Sequence, residues 1–131
     1  MRPEERDTAL LFDMLACCED IVDFTSGVTY EQFAGDKMRR LATERQLEIL
    51  GEAANHVSIE RRLSLPSVDW SRIVGLRNKL AHDYGEVLAE RIWRIASESI
   101  PVLCTQLATV DAVAAARRAL GDSDHSEPAT E

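Results

Sequence analysis

Glycine and proline are scarce in this chain of 131 residues, six and four of them, and aromatic side chains make up only 5%. Sheets need many turns, so this scarcity favours helices. No apolar run is long enough to span a bilayer. The opening residues, MRPEERDTALL, are charged and contain no signal-peptide core, which predicts a cytoplasmic protein. Cysteine is limited to Cys17, Cys18 and Cys104, an odd number without metal-ligand spacing. Buried structural thiols are therefore expected, with no metal and no cofactor. Positive charge is also short. The net charge of −8 argues against broad nucleic-acid binding.

The charge is unevenly spread. Residues 1–36 hold two arginines against nine acids. Residues 70–94 hold Arg72, Arg77, Lys79, Arg91 and Arg94 against Asp83, Glu86 and Glu90, a local excess of +2. An anionic ligand is steered towards that segment, and the acidic face suits a basic partner.

The length implies one domain with a core that needs no disulfide. Pro3 fits the first turn of a helix over about residues 3 to 26, in which Leu10, Met14, Cys17, Ile21 and Phe24 make one apolar stripe and Gly27 lies just past the end. That stripe suits an internal seam or a helix-mediated dimer. VTYEQFAGD is a connector with room for one short turn, and Asp36 can cap a second helix over 37–57. Met38, Leu41, Leu47, Leu50, Ala54 and Val57 give that helix its apolar positions. Gly51 interrupts it and lets another backbone approach closely. A linker with one possible turn ends at Pro66. Asp69 then caps a helix from Trp70, in which Trp70, Ile73, Arg77, Leu80 and Tyr84 share a stripe that Gly85 ends. The last segment starts near Val87. Leu88, Ile92, Ile95, Val102, Leu103, Leu107, Val110 and Val113 are its apolar positions, a kink is expected at Pro101, and the helix ends at Gly121. Residues 121–131 read as a disordered acidic tail. The fold class is all-α, an up-and-down bundle of about four to five helices.

The stretch RNKLAHDY, Arg77 to Tyr84, sets an arginine on an otherwise apolar stripe. A buried guanidinium needs a counter-charge: Glu48, Glu52 or a ligand phosphate would serve. His82 follows five residues later, about 140° round a continuous helix. The two side chains converge only if the helix loosens near Ala81 or a second chain supplies one of them. An imidazole that moves a proton and a guanidinium that stabilises phosphoryl charge together suit metal-free RNA cleavage through the ribose 2′-hydroxyl. Asn78 can hold the phosphate or orient His82, and Tyr84 offers a hydroxyl. Periodicity by itself favours a plainer arrangement, capping and packing at a helix end.

RNKLAHDY resembles the R-x-x-x-x-H-x-Y motif of HepT-like toxins of the HEPN superfamily. The resemblance extends to ILGEAANHVS, VDWSRIVGLRN and IWRIASESIPVL, roughly residues 5 to 107. It implies a homodimeric HEPN-type helical domain over 1–120, acting as a metal-independent endoribonuclease with its cleft at the dimer interface. Arg77 and His82 would be catalytic and Asn78 supporting. The implied setting is a type VII toxin–antitoxin system. Its partners are RNA (tRNA among the candidates) and an MntA-like nucleotidyltransferase antitoxin that silences the toxin by AMPylation of Tyr84. The chain departs from many relatives at Asp83, where they carry glycine. An acid there puts a negative charge beside His82 and against an RNA phosphate.

Two other readings stand beside this one. The chain could be a non-catalytic nucleotide-binding or helper subunit of a minimal nucleotidyltransferase, as its charge of −8 and Asp83 suggest. It could also be a helical dimerisation protein whose Arg77 pairs with Glu48 or Glu52.

Overall fold

Pro3 opens the first helix, α1 (Pro3–Thr25), with Glu4 and Glu5 in the first turn, where the exposed amide groups favour negative charge. The computed structural model describes residues 1–125, and no strand occurs among them. Leu11, Met14, Leu15, Cys18 and Ile21 of α1 are sealed in the core, and Cys17 is nearly so. Leu10 and Phe24 sit at the edge of that stripe, so it is centred one residue later than the periodicity suggested. α1 carries no basic residue in its last turn. Arg39, from a later helix, donates to the Phe24 carbonyl instead.

Gly27 takes a left-handed conformation, φ +72, and turns the chain back. The expected connector then forms a six-residue helix, α2 (Tyr30–Gly35). Thr29 and Gln32 cap it reciprocally: the Gln32 amide donates to Thr29 Oγ1 at 3.1 Å, and the Thr29 amide donates to Gln32 Oε1 at 2.9 Å. This holds Phe33 fully buried, 5.2 Å from the Trp93 ring.

Asp36 caps α3 (Lys37–His56) by accepting from the Arg39 amide. Leu47, Leu50, Gly51 and Ala54 face inward, whereas Met38 and Leu41, expected on the apolar stripe, are exposed. The chain then makes α4 (Ile59–Leu63), capped by Ser58. Asp7 ties this corner to α1, accepting from the Ser58 amide at 2.9 Å and the Ser58 hydroxyl at 2.6 Å. Burial would raise the Asp7 carboxyl, but the two Ser58 hydrogen bonds, with Arg61 and Arg6 nearby, hold it below its ordinary value.

α5 (Trp70–Ile73) is a single turn. Its start is where Asp69 suggested, but Asp69 makes no capping bond to the backbone. Its carboxylate accepts from the Ser71 hydroxyl and pairs with Arg72. Gly75, with φ +80, reverses the chain, and α6 (Leu76–Leu80) follows.

α7 (Gly85–Arg94), a π-helical turn over Ile95–Ser99 and α8 (Ile100–Ala108) form one continuous rod, Gly85–Ala108. The disturbance expected at Pro101 appears as the wide π turn just before it. There the Ile100 amide reaches back to the Ile95 carbonyl. Val102, expected inside, is exposed. α9 (Asp111–His125) is a separate helix, bent by 80° from the rod, and it runs past Gly121. The remainder of the expected tail, 126–131, lies outside the described residues.

With the continuous rod counted once, the described residues form eight helices, more than the four or five expected. The excess consists of one- and two-turn helices that connect the long ones. α1 packs on α3 and on α8, and α3 also meets α5, α6 and α7. Cys17 and Cys18 are buried as expected, whereas Cys104 is only partly buried. Burial, with Asp20 and Asp13 nearby, pushes the Cys17 thiol up to about 11, and burial raises Cys18 as well. No single helix among the described residues is long and apolar enough to cross a membrane.

Candidate active site

Leu76 and Leu80 are the buried anchors of α6. They lie four apart on one face, so the residues between them, Arg77, Asn78 and Lys79, are turned towards solvent. The five-residue stripe expected from Trp70 to Tyr84 does not form. It presumed one continuous helix, and the reversal at Gly75 restarts the helical phase. Ile73, Leu76 and Leu80 are buried, while Arg77 is exposed.

Arg77 therefore needs no buried counter-charge. It forms no ion pair among the described residues, and Glu48, one of its expected partners, is engaged by Arg45 at 3.3 Å. Glu52 is exposed, and its carbonyl receives the His56 ring at 2.7 Å. His56 is on the surface. Lys79 spends its charge differently, donating to the carbonyls of Ser71 and Arg72 and so closing the corner between α5 and α6.

The helix does loosen where convergence of Arg77 and His82 required it. α6 ends at Leu80, and the Ala81 amide makes a last bond to the Arg77 carbonyl at 3.1 Å. Ala81 and His82 form a turn, Tyr84 is extended at φ −136, and Gly85 takes φ +55 as α7 begins. His82 is exposed on this turn. Tyr84 is 82% exposed, far from the half-buried position common for tyrosine. Asp83 points the other way: its side chain is 14% exposed and receives Arg91 Nε of α7. The acid beside His82 is thus occupied by a cation two turns into the next helix.

Sequence reading counted Arg91 only in the local basic excess and missed its pairing with Asp83, because residues eight apart are not contact neighbours on a helix. Only the reversal at Tyr84–Gly85 brings them together. Arg91 also stands on the rim of a groove of about 710 Å³ between α5–α6 and the long rod, with Ile73, Leu76 and Leu103 among its walls.

One short segment thus offers solvent an arginine, an asparagine, a histidine and a tyrosine, all held on a buried two-leucine anchor. A guanidinium can stabilise phosphoryl charge, and an imidazole can accept or donate a proton near neutral pH.

The family model of the ribonuclease HepT-like proteins matches residues 14–110. A protein of Methanocaldococcus jannaschii named "Putative RNase MJ1380" is 39% identical over 93 residues, covering 71% of this chain and 85% of that protein. A second from the same organism, "Putative RNase MJ0127", is 35% identical over 76% of this chain and 82% of its own length. "Probable ribonuclease HepT" of Thermococcus cleftensis is 33% identical over 71% of this chain and 84% of its own. No solved structure matches. The matched span takes in the whole of Arg77–Tyr84, and the chain belongs to the family of HepT-like ribonucleases.

Proposed function

We propose that this protein is the toxin of a type VII toxin–antitoxin system, a metal-independent endoribonuclease that works as a homodimer with its cleft at the subunit interface. Arg77 stabilises the charge that develops on the phosphoryl group. His82 moves the proton of the ribose 2′-hydroxyl or of the leaving oxygen. Asn78 holds the phosphate or orients His82. RNA, tRNA included, is the substrate, and the protein acts in the cytoplasm.

The carrying observation is the outward, unpaired presentation of the motif. Arg77 forms no ion pair among the described residues while its neighbours Leu76 and Leu80 are buried. Its guanidinium donors are therefore open to a ligand phosphate. The family match and the name of the Thermococcus cleftensis relative support the same reading.

Tyr84 is the site at which an MntA-like nucleotidyltransferase antitoxin neutralises the toxin by AMPylation. Its exposure, 82%, leaves the hydroxyl open to a modifying enzyme. A nucleotide phosphate placed there would fill the space beside His82 and repel the substrate phosphate.

A second reading, a non-catalytic helper subunit of a nucleotidyltransferase, draws on the charge of −8 and on Asp83. The pairing of Asp83 with Arg91 weakens it, since that acid is no longer a free charge against RNA.

The test is cleavage of labelled tRNA and total RNA by the purified full chain, in parallel with His82→Ala. Cleavage by the parent, lost in the variant and indifferent to chelators, is expected. RNA left intact by the parent, with Tyr84 unmodified, would remove the ribonuclease reading.

A further inference from the structure

The turn that carries His82 and Tyr84 has few ties of its own. The Asp83 amide reaches the Leu80 carbonyl at 3.3 Å, and the Leu88 amide reaches the Tyr84 carbonyl at 3.3 Å. Both are at the long end for such bonds, which cluster near 2.9–3.0 Å. Neither the His82 ring nor the Tyr84 hydroxyl has a protein partner among the described residues. At the far end Gly85, with φ +55, turns the chain into α7. Left to these contacts, a catalytic imidazole would sample many poses, and small misplacements of such a group cost large factors in rate.

One strong contact spans the turn. Asp83 lies between His82 and Tyr84, and its carboxylate Oδ2 accepts from Arg91 Nε. Among the described residues, four of the six ion pairs link residues three apart in sequence, and most of their side chains are exposed. Such pairs contribute little. This one differs in two respects: it joins the turn to the body of α7, and the Asp83 side chain is only 14% exposed. Arg91 itself is half exposed, and it is the charge on both partners, with the Asp83 carboxylate largely withdrawn from water, that makes this bond stronger and more directional than a neutral one.

We propose that Asp83 and Arg91 form a clamp that fixes the pose of the His82–Tyr84 turn, with both acting as positioning residues for His82. The proposal rests on the ribonuclease reading of the site. Arg91 acts through Asp83, not on the substrate. The clamp gives Asp83 a role beyond that of a stray acid near the phosphate.

The test uses purified full-length protein and the variants Asp83→Asn, Arg91→Gln and Arg91→Lys. Two readouts are taken: steady-state RNA cleavage, and amide hydrogen exchange of a peptide covering residues 81–85. For Asp83→Asn and Arg91→Gln, kcat should fall about tenfold or more with KM within about twofold, and exchange over the turn should accelerate. Arg91→Lys keeps the charge and should recover part of both. A rise in KM at unchanged kcat would make Arg91 a substrate-binding residue and overturn the positioning role. A lower melting temperature with unchanged kcat and exchange would reduce the pair to a structural bridge and overturn it too. If the parent cleaves no RNA, the ribonuclease reading fails on that count, and exchange over the turn alone decides the clamp.

Discussion

Gly51 of α3 meets Leu76, the first residue of α6, so closely that a Cβ at position 51 would stand 3.2 Å from the Leu76 Cβ. The same Cβ would lie 3.1 Å from the Ile73 carbonyl oxygen. A missing side chain in the middle of a long helix therefore seats the short helix that carries Arg77.

Gly51→Ala should for this reason destabilise the protein. Alanine brings better helix propensity, worth about 1 kcal/mol. The crowding of backbone atoms at Ile73 and Leu76 costs about 1–3 kcal/mol, and the net expectation is a loss of about 1 kcal/mol. Denaturant unfolding measures it. A more stable variant would show that α5 and α6 can shift freely, contrary to this packing.

Arg77→Ala should abolish RNA cleavage, by about a hundredfold or more, while leaving unfolding free energy within about 0.5 kcal/mol. The separation follows from its exposure and from the lack of any ion pair to lose among the described residues. A clear fall in stability with no change in activity would restore the plainer reading of a structural arginine.

Tyr84→Phe should keep RNA cleavage but escape neutralisation. Co-expressed with an MntA-like nucleotidyltransferase, the parent should gain mass in AMP steps and the variant should gain none. Intact-mass spectrometry reads both. An equal mass gain in the variant would move the modification elsewhere.

Asp7→Asn should cost about 2 kcal/mol near neutral pH, because Asp7 accepts two hydrogen bonds from Ser58 as a carboxylate. The Asp7 carboxyl lies below its ordinary value in the folded state. Its contribution is thus complete above the unfolded value of about 3.9 and is lost as pH falls through the lower folded value. The stability gap between parent and variant should narrow on acidification, as followed by denaturant unfolding from pH 7 to pH 3. A gap that widens in acid would contradict the assignment.

Much of the helical framework was legible. The scarcity of turn formers, Pro3, the Asp36 cap and the close approach at Gly51 all reappear in the folded chain. α2 was also written in the sequence, since Thr29 and Gln32 have capping-box spacing, but a six-residue helix is too short for apolar periodicity to reveal. The misplaced stripe through Arg77 had another origin. Periodicity presumes an unbroken helix, and a left-handed glycine at 75 shifts every later position round the axis.

The sequence by itself determined the helical class, through local propensity, and it pointed to the ribonuclease family through a resemblance that runs over most of the chain, with the R-x-x-x-x-H-x-Y motif of Arg77, His82 and Tyr84 within it. Only the tertiary structure decided that Arg77 faces solvent, that Tyr84 is open, and that Asp83 is held by Arg91. Those outcomes depend on chain reversals at Gly75 and Gly85 and on which distant residues the packing of α3 and α7 brings alongside. Such long-range neighbours leave no periodic trace in the order of the amino acids.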